Sequence, residues 1–294
     1  MKIALGQMLA TRVKSENLNK IKAMIEEASA VGADLVAFPE ASMVWVEPGE
    51  SPAPQAEPLD GPFVGGMREA ARVSRIAVVA GVVEAIPGNP KAYNTAVAID
   101  SDGSLIGSYR KIHMFDAFGY RESDQNLAGD GELLLFDING MKVGVATCYD
   151  VRFPELYRQL AERGADIVVQ PSSWAHGVLK EFHWNTLVRA RAIENTFYMA
   201  AVDQLRSAGS MIVDPMGVAV AVRGETEGLV LAEVTLERIA EVRRTVPSLS
   251  HLRPDVYERW RRMSSAVAAG ACSDVEERND LTDVHTRLHE AQRL

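Results

Sequence analysis

The sequence predicts a mixed α/β domain made of two similar halves that face each other through their sheets. Three observations carry this reading. Short β-rich runs alternate with segments of helical periodicity, the pattern of layered α/β architecture. Two stretches recur: Met1-Lys2-Ile3-Ala4-Leu5-Gly6-Gln7-Met8 resembles Met141-Lys142-Val143-Gly144-Val145-Ala146-Thr147-Cys148, and Gly32-Ala33-Asp34-Leu35-Val36-Ala37-Phe38-Pro39 resembles Gly164-Ala165-Asp166-Ile167-Val168-Val169-Gln170-Pro171. Each pair brackets a helical stretch, so the repeated unit is strand–helix–strand, a crossover that leaves its two strands parallel. Finally, 294 residues at 47% hydrophobic and 24% charged is ordinary globular composition.

Taken in order, residues 2–8 are an apolar first strand. Ser15 precedes Leu18, Ile21, Ile25 and Ala28, which share one helix face, and is the expected N-cap. Asp34 to Phe38 is a second strand, stopped by Pro39-Glu40. A Pro- and Glu-rich loop (46–60) leads to a helix over 61–74 and a strand over Ala77–Val83. Tyr93–Ile99 and Leu105–Tyr109 flank Asp100-Ser101-Asp102-Gly103, a hairpin by its turn residues. Leu133–Ile138 and Met141–Thr147 flank Asn139-Gly140, the strongest short hairpin signal in the chain. Between the hairpins, 113–131 is a long polar loop, of a length that compact domains keep for function or leave disordered. Residues 1–257 read as one domain. Residues 258–294 read as a polar C-terminal tail, expected to pack on a partner subunit or on its own domain, or to be partly disordered.

Bulk properties narrow the function. A net charge of −9 and a pI near 5.3 argue against nucleic acid or an anionic membrane as partner. No run approaches the roughly 18 apolar residues of a membrane span. The two cysteines make no CxxC and no disulfide scaffold, so a reducing cytoplasm is the expected compartment. The six histidines form no HExxH and no zinc spacing, and neither a Walker A nor a GxGxxG motif is present. No metal and no organic cofactor are expected.

The candidate chemistry begins at Cys148. It sits where an apolar strand ends and the turn Tyr149-Asp150-Val151-Arg152-Phe153-Pro154-Glu155 begins, and in open α/β sheets ligands bind at such carboxyl ends. A thiol there becomes a nucleophile when a base or a positive charge serves it. Glu40 ends another apolar strand, a costly place for a carboxylate that is neither paired nor used. Lys111 ends a third predicted strand, and Glu122 lies on the long loop. Taken singly, each also fits an ordinary role: a turn cap for Glu40, a solvated strand end for Lys111, a small core hydrophobe for Cys148.

Together they resemble the nitrilase superfamily of carbon–nitrogen hydrolases. The resemblance rests on Ala37-Phe38-Pro39-Glu40, on Tyr109-Arg110-Lys111-Ile112-His113, on Gly144 to Glu155 around Cys148, on His183-Trp184, on Arg189 to Asn195 and on Ser210 to Gly217. It implies a four-layer αββα sandwich, a Glu40–Lys111–Cys148 triad, and Glu122 as the additional active-site glutamate. Cys148 would attack an amide carbonyl, Glu40 would act as general base, and Lys111 with the Tyr149 backbone N–H would hold the oxyanion.

The Cys-Tyr-Asp-x-Arg-Phe-Pro-Glu form looks like the Nit-type amidase branch. It implies hydrolysis of a small carboxylate-bearing amide, in the manner of ω-amidases, with release of ammonia. An N-carbamoyl amino acid amidohydrolase or a nitrilase is the alternative, and a non-catalytic scaffold the reading outside enzymes. Arg152 would hold a substrate carboxylate or else pair with an acid such as Glu155. Trp174 and His176 are expected at the pocket, and Trp184 in the core. Family members form dimers or larger assemblies, so a homo-oligomer is expected. Two departures bear on the pocket: the segment Asp203–Ser210 is shorter than usual, and Phe115–Tyr120 lacks the usual proline.

Overall fold

The structure, a computed structural model, describes residues 1–205 and 208–275. Its first half contains β1 (Lys2–Gln7), α1 (Lys14–Ala30), β2 (Leu35–Ala37), α2 (Pro62–Ser74), β3 (Ala77–Ala85), β4 (Ala92–Ile99) and β5 (Leu105–Arg110). Three two-residue strands follow, β6 (Asp116–Ala117), β7 (Tyr120–Arg121) and β8 (Asn126–Leu127). The second half contains β9 (Leu135–Ile138), β10 (Met141–Val145), α3 (Pro154–Glu162), β11 (Ile167–Ser172), α4 (Lys180–Asn195), β12 (Tyr198–Asp203), β13 (Ser210–Val213) and β14 (Ala219–Arg223). Last come β15 (Gly228–Glu233), α5 (Leu236–Thr245) and α6 (Pro254–Val275).

The two main sheets have the same plan. One runs β15-β1-β2-β3-β4-β5, with β8 pairing in parallel with the start of β4, and the other β9-β10-β11-β12-β13-β14. In each, three parallel strands carry one antiparallel neighbour on one side and two on the other.

Side-chain alternation turns the sheets into layers. From the first sheet, Ile3, Leu5, Leu35, Ala37 and Val79 share a core with Phe136, Val143, Val145 and Ile167 of the second. Their alternates Ala4, Val36, Val78 and Ala80 pack on Ile21, Met24 and Ile25 of α1 and on Phe63, Val64 and Met67 of α2. Behind the second sheet, Leu160 of α3 closes on Gly144, where an added Cβ would lie 3.2 Å from it. The order is helix, sheet, sheet, helix. Each fully buried aliphatic contributes roughly 1.5–3 kcal/mol, which holds the four layers together.

Both hairpins form where the turn residues place them. Asn139 and Gly140 take φ of 49° and 79°, the two positive angles of a type I′ turn. The helix start differs from expectation. α1 begins at Lys14 with Val13 at the N-cap position, so Ser15 lies inside the first turn and caps nothing. Asn17 does the anchoring instead: fully buried, it accepts from the Thr11 N–H at 2.8 Å and donates to the carbonyls of Thr11 and Met43. The long 113–131 loop is ordered by the β6–β7 hairpin and a 3-10 turn at Glu122–Asp124.

One compact unit spans Met1–Leu249, and the chain from Ser250 forms a second, whose helix α6 exposes Tyr257, Trp260 and Met263. Residues 276–294 of the C-terminal tail, and Arg206 and Ser207 of the shortened 203–210 segment, lie outside the described residues. Among the described residues no helix is long and apolar enough to cross a membrane.

Candidate active site

Three strand ends and one loop deliver the four predicted residues to one place. Glu40 follows β2, where the Phe38 N–H bonds the Val79 carbonyl at 2.8 Å. Its backbone is pressed against Gly81 of β3, and its carbonyl accepts from Gln204 Nε2 at 2.9 Å. Lys111 continues the β5 ladder by one residue, its N–H bonding the Asn94 carbonyl at 2.9 Å. Glu122 opens the 3-10 turn in the long loop.

These side chains close a ring of hydrogen bonds. Lys111 Nζ donates to Glu40 Oε1 at 3.0 Å and to Glu122 Oε2 at 2.8 Å. Asn94 Nδ2 donates to the same two carboxylates at 2.7 and 2.9 Å. Main chain holds both carboxylates as well: Ser173 N–H reaches Glu40 Oε2 at 2.9 Å, and Phe115 N–H reaches Glu122 Oε2, the oxygen that also accepts from Lys111, at 2.8 Å. Glu40, Lys111 and Glu122 are buried. Charges taken out of water at this depth are tolerable only because each one is paired and hydrogen-bonded.

Cys148 follows β10 and opens the 3-10 turn Cys148–Arg152, with φ at +43°. A non-glycine residue in that region costs on the order of 1–3 kcal/mol, and the surroundings hold it there. Asp150, fully buried, accepts from Thr147 N–H at 2.9 Å and from Tyr109 OH at 2.8 Å, and its Oδ1 lies 2.7 Å from His113 Nδ1. Gln170 Nε2 donates to the Cys148 carbonyl at 3.1 Å. The thiol is thus aimed by a turn that is itself tied down.

Electrostatics define the resting protonation. Burial pushes the Cys148 thiol well above its ordinary range, and the Glu40 carboxylate beside it pushes the same way, against the pull of Lys111. Burial alone would lower Lys111, but Glu122 and Glu40 outweigh it and hold the ammonium well above the ordinary lysine range. Burial opposes ionisation of Glu122 too, yet the Lys111 ammonium and hydrogen bonds from Lys111 and Asn94 keep its carboxyl below the usual value. At rest, then, the site holds a neutral thiol beside a permanent cation.

The cluster floors a cavity of about 470 Å³ whose wall includes Tyr149, Trp174, His176 and Lys180. Of the residues expected to meet a substrate, Tyr149, Trp174 and His176 line this cavity. Arg152 lies beside the cavity and is not part of its lining: its guanidinium carbon is 5.0 Å above the Trp174 ring and 5.7 Å from that of Tyr149, and its Nη2 is 3.5 Å from His183 Nδ1. No ion pair links it to Glu155. Trp184 is core, fully buried against Trp174.

Three contributors escape the sequence reading. Asn94 bridges both carboxylates; a polar residue within the apolar strand Ala92–Ile99 is the signal that points to it. Lys180 lines the cavity, but a lysine at a helix start reads as a solvated charge. Asp203 closes β12, and its carboxylate accepts from the N–H groups of Trp174, Gln204 and Ala208 at 2.8, 3.0 and 2.8 Å. Burial raises its carboxyl to about 7, and the charge of Glu40 adds to the rise. Among the described residues no three His, Cys, Asp or Glu side chains are grouped to hold a metal ion.

Comparison with known proteins agrees with this geometry. The carbon–nitrogen hydrolase family model matches residues 2–244. The chain is 36% identical over 258 residues to the deaminated glutathione amidase of Escherichia coli O157:H7, covering 86% of this chain and 97% of that protein. It is 33% identical over 272 residues to the omega-amidase NIT2 of Bos taurus, covering 87% and 96% respectively. Among solved structures, the C. elegans NitFhit protein superposes with a TM-score of 0.80 at 33% identity, over 87% of this chain and 66% of that one. With a cysteine, two carboxylates and a lysine in one cavity and a family match over most of its length, the chain belongs to the carbon–nitrogen hydrolases of the nitrilase superfamily.

Proposed function

We propose that this carbon–nitrogen hydrolase cleaves a small amide bearing a carboxylate, as an ω-amidase does, through a thioester on Cys148. The observation that carries the reading is the ring formed by Glu40, Lys111, Glu122 and Asn94 at the floor of the cavity that Cys148 also lines.

Because the thiol is neutral at rest, attack and deprotonation are coupled. Cys148 Sγ forms a bond to the amide carbon as its proton passes to Glu40. Lys111 Nζ and the Tyr149 N–H hold the carbonyl oxygen as it becomes an oxyanion. Glu40 then delivers the proton to the amide nitrogen, the C–N bond breaks and ammonia leaves. In the second half, Glu40 takes a proton from water, the hydroxyl oxygen attacks the thioester, and the C–S bond breaks with return of the proton to sulfur. Glu122 keeps Lys111 charged and fixed throughout, so that its ammonium is not spent as an acid.

The names of the relatives support an amide substrate. Ammonia release should be measured over succinamate, an N-carbamoyl amino acid and an aliphatic nitrile. Turnover of succinamate above the other two is the expected result. Faster turnover of the carbamoyl compound, with carbon dioxide as co-product, would replace the amidase reading. The proposal extends to a homo-oligomer to which residues 258–294 contribute contacts, and to a cytoplasmic location.

A further inference from the structure

Three cationic side chains are buried among the described residues: Lys111, Arg191 and Lys180. Lys111 is paired with Glu40 and Glu122, and Arg191 with Glu194 at 2.7 Å. Lys180, only 3% exposed, has no carboxylate within ion-pair distance among the described residues. Its ammonium sits among three aromatic rings, 4.5 Å from the centroid of Trp174, 4.6 Å from Phe118 and 4.7 Å from Phe115. Ring faces attract a cation, but they replace only part of the hydration that burial removes.

The neighbourhood adds to the imbalance. The Arg152 guanidinium lies over the same indole, its Nε is buried without a hydrogen-bond partner, and no acid pairs with it. Burial lowers Lys180 first, and repulsion from Arg152 lowers it further. Two unneutralised cations on one tryptophan, beside the cavity that holds the nucleophile, form a receptor that lacks its anion. The described residues supply none, and a ligand in the cavity can.

We infer that Lys180, with Arg152 behind it, receives the substrate's carboxylate and selects amides that carry an anion away from the scissile bond. This rests on the amidase reading above and adds the group that confers its specificity. Trp174 then serves as a platform that sets the height of both cations, and the cage of rings strengthens the pairing by keeping water from it.

The test is the ratio of kcat/KM for succinamate to that for succinamide, its neutral near-isostere. Lys180→Met should lower this ratio about 30-fold, chiefly through KM, and Lys180→Arg should restore part of it. A ratio within threefold of the wild-type value in Lys180→Met overturns the inference. So does a wild-type enzyme that turns over both amides equally well. A readout without turnover separates this from the reaction itself: succinate should raise the melting temperature of the wild type and not of Lys180→Met. If no amide releases ammonia but this difference holds, the anion site stands and the amidase reading falls. Equal succinate effects on both proteins sink the site.

Discussion

Replacing Gly81 by alanine tests whether the position of Glu40 governs the rate. Gly81 lies in β3, and its N–H bonds the Pro39 carbonyl at 3.2 Å while its own carbonyl accepts from Ser42 Oγ at 3.0 Å. A methyl group there would stand 2.7 Å from Glu40 Cα, 2.7 Å from the Pro39 carbonyl oxygen and 3.1 Å from the Ala41 nitrogen. All three are backbone atoms, so no flexible side chain can swing aside. Reaching ordinary contact at 3.4 Å requires Glu40 to retreat by roughly 0.7 Å. Its carboxylate is held by hydrogen bonds of 2.7 to 3.0 Å from Asn94, Ser173 and Lys111, which a shift of that size breaks or bends.

A misplacement of about 1 Å near the reacting atoms costs on the order of 100-fold, and overpacking costs about 1–3 kcal/mol of stability. Gly81→Ala should therefore lose roughly 30- to 100-fold in kcat for ammonia release while still unfolding cooperatively in urea. Gly65→Ala is the matched control. It lies in α2 with nothing within 4 Å of an added Cβ, so it should keep full activity and gain about 0.5–1 kcal/mol. A folded Gly81→Ala protein with kcat within threefold of wild type would refute the reasoning.

Two further expectations concern protons. Because burial and Glu40 hold the Cys148 thiol above its ordinary range, its alkylation by iodoacetamide, followed on the Cys148 peptide, should still be accelerating at pH 9; a plateau near pH 7 would mean a preformed thiolate. Asp203 keeps its proton to about pH 7 in the folded state, against about pH 4 in an unfolded chain. The folded protein thus binds the extra proton between these values, so this contribution to stability is complete below about pH 4 and is lost as the pH rises through about 7. Wild-type urea stability should fall by on the order of 2–4 kcal/mol relative to Asp203→Asn between those limits, and parallel pH profiles would count against it.

What the sequence made legible follows from how locally each feature is encoded. Asn139-Gly140 specifies its hairpin because a type I′ turn demands two positive φ angles. Cys148, Glu40 and Lys111 stand out as reactive groups placed just after apolar strands, and the fold brings those strand ends to one cavity. Lys180 escapes the sequence because its burial comes from Phe115 and Phe118, far away in the chain, and from Trp174 across the loop before its helix, and nothing in Leu179-Lys180-Glu181 announces an aromatic cage. The cap at Ser15 failed for a similar reason: a tertiary contact, Asn17 to Met43, sets where α1 begins. Arg152 showed its charge in the sequence but not its seat over Trp174, behind the cavity wall.

The most direct test of the account is the mass of the enzyme caught during turnover. Protein mixed with succinamate and quenched in acid within the first turnovers should carry an adduct equal to the substrate less ammonia, confined to the peptide that contains Cys148. Glu40→Gln should slow both its formation and its loss, and Cys148→Ala should show no adduct and release no ammonia. Steady ammonia release with no adduct on Cys148, or turnover by Cys148→Ala, would contradict it.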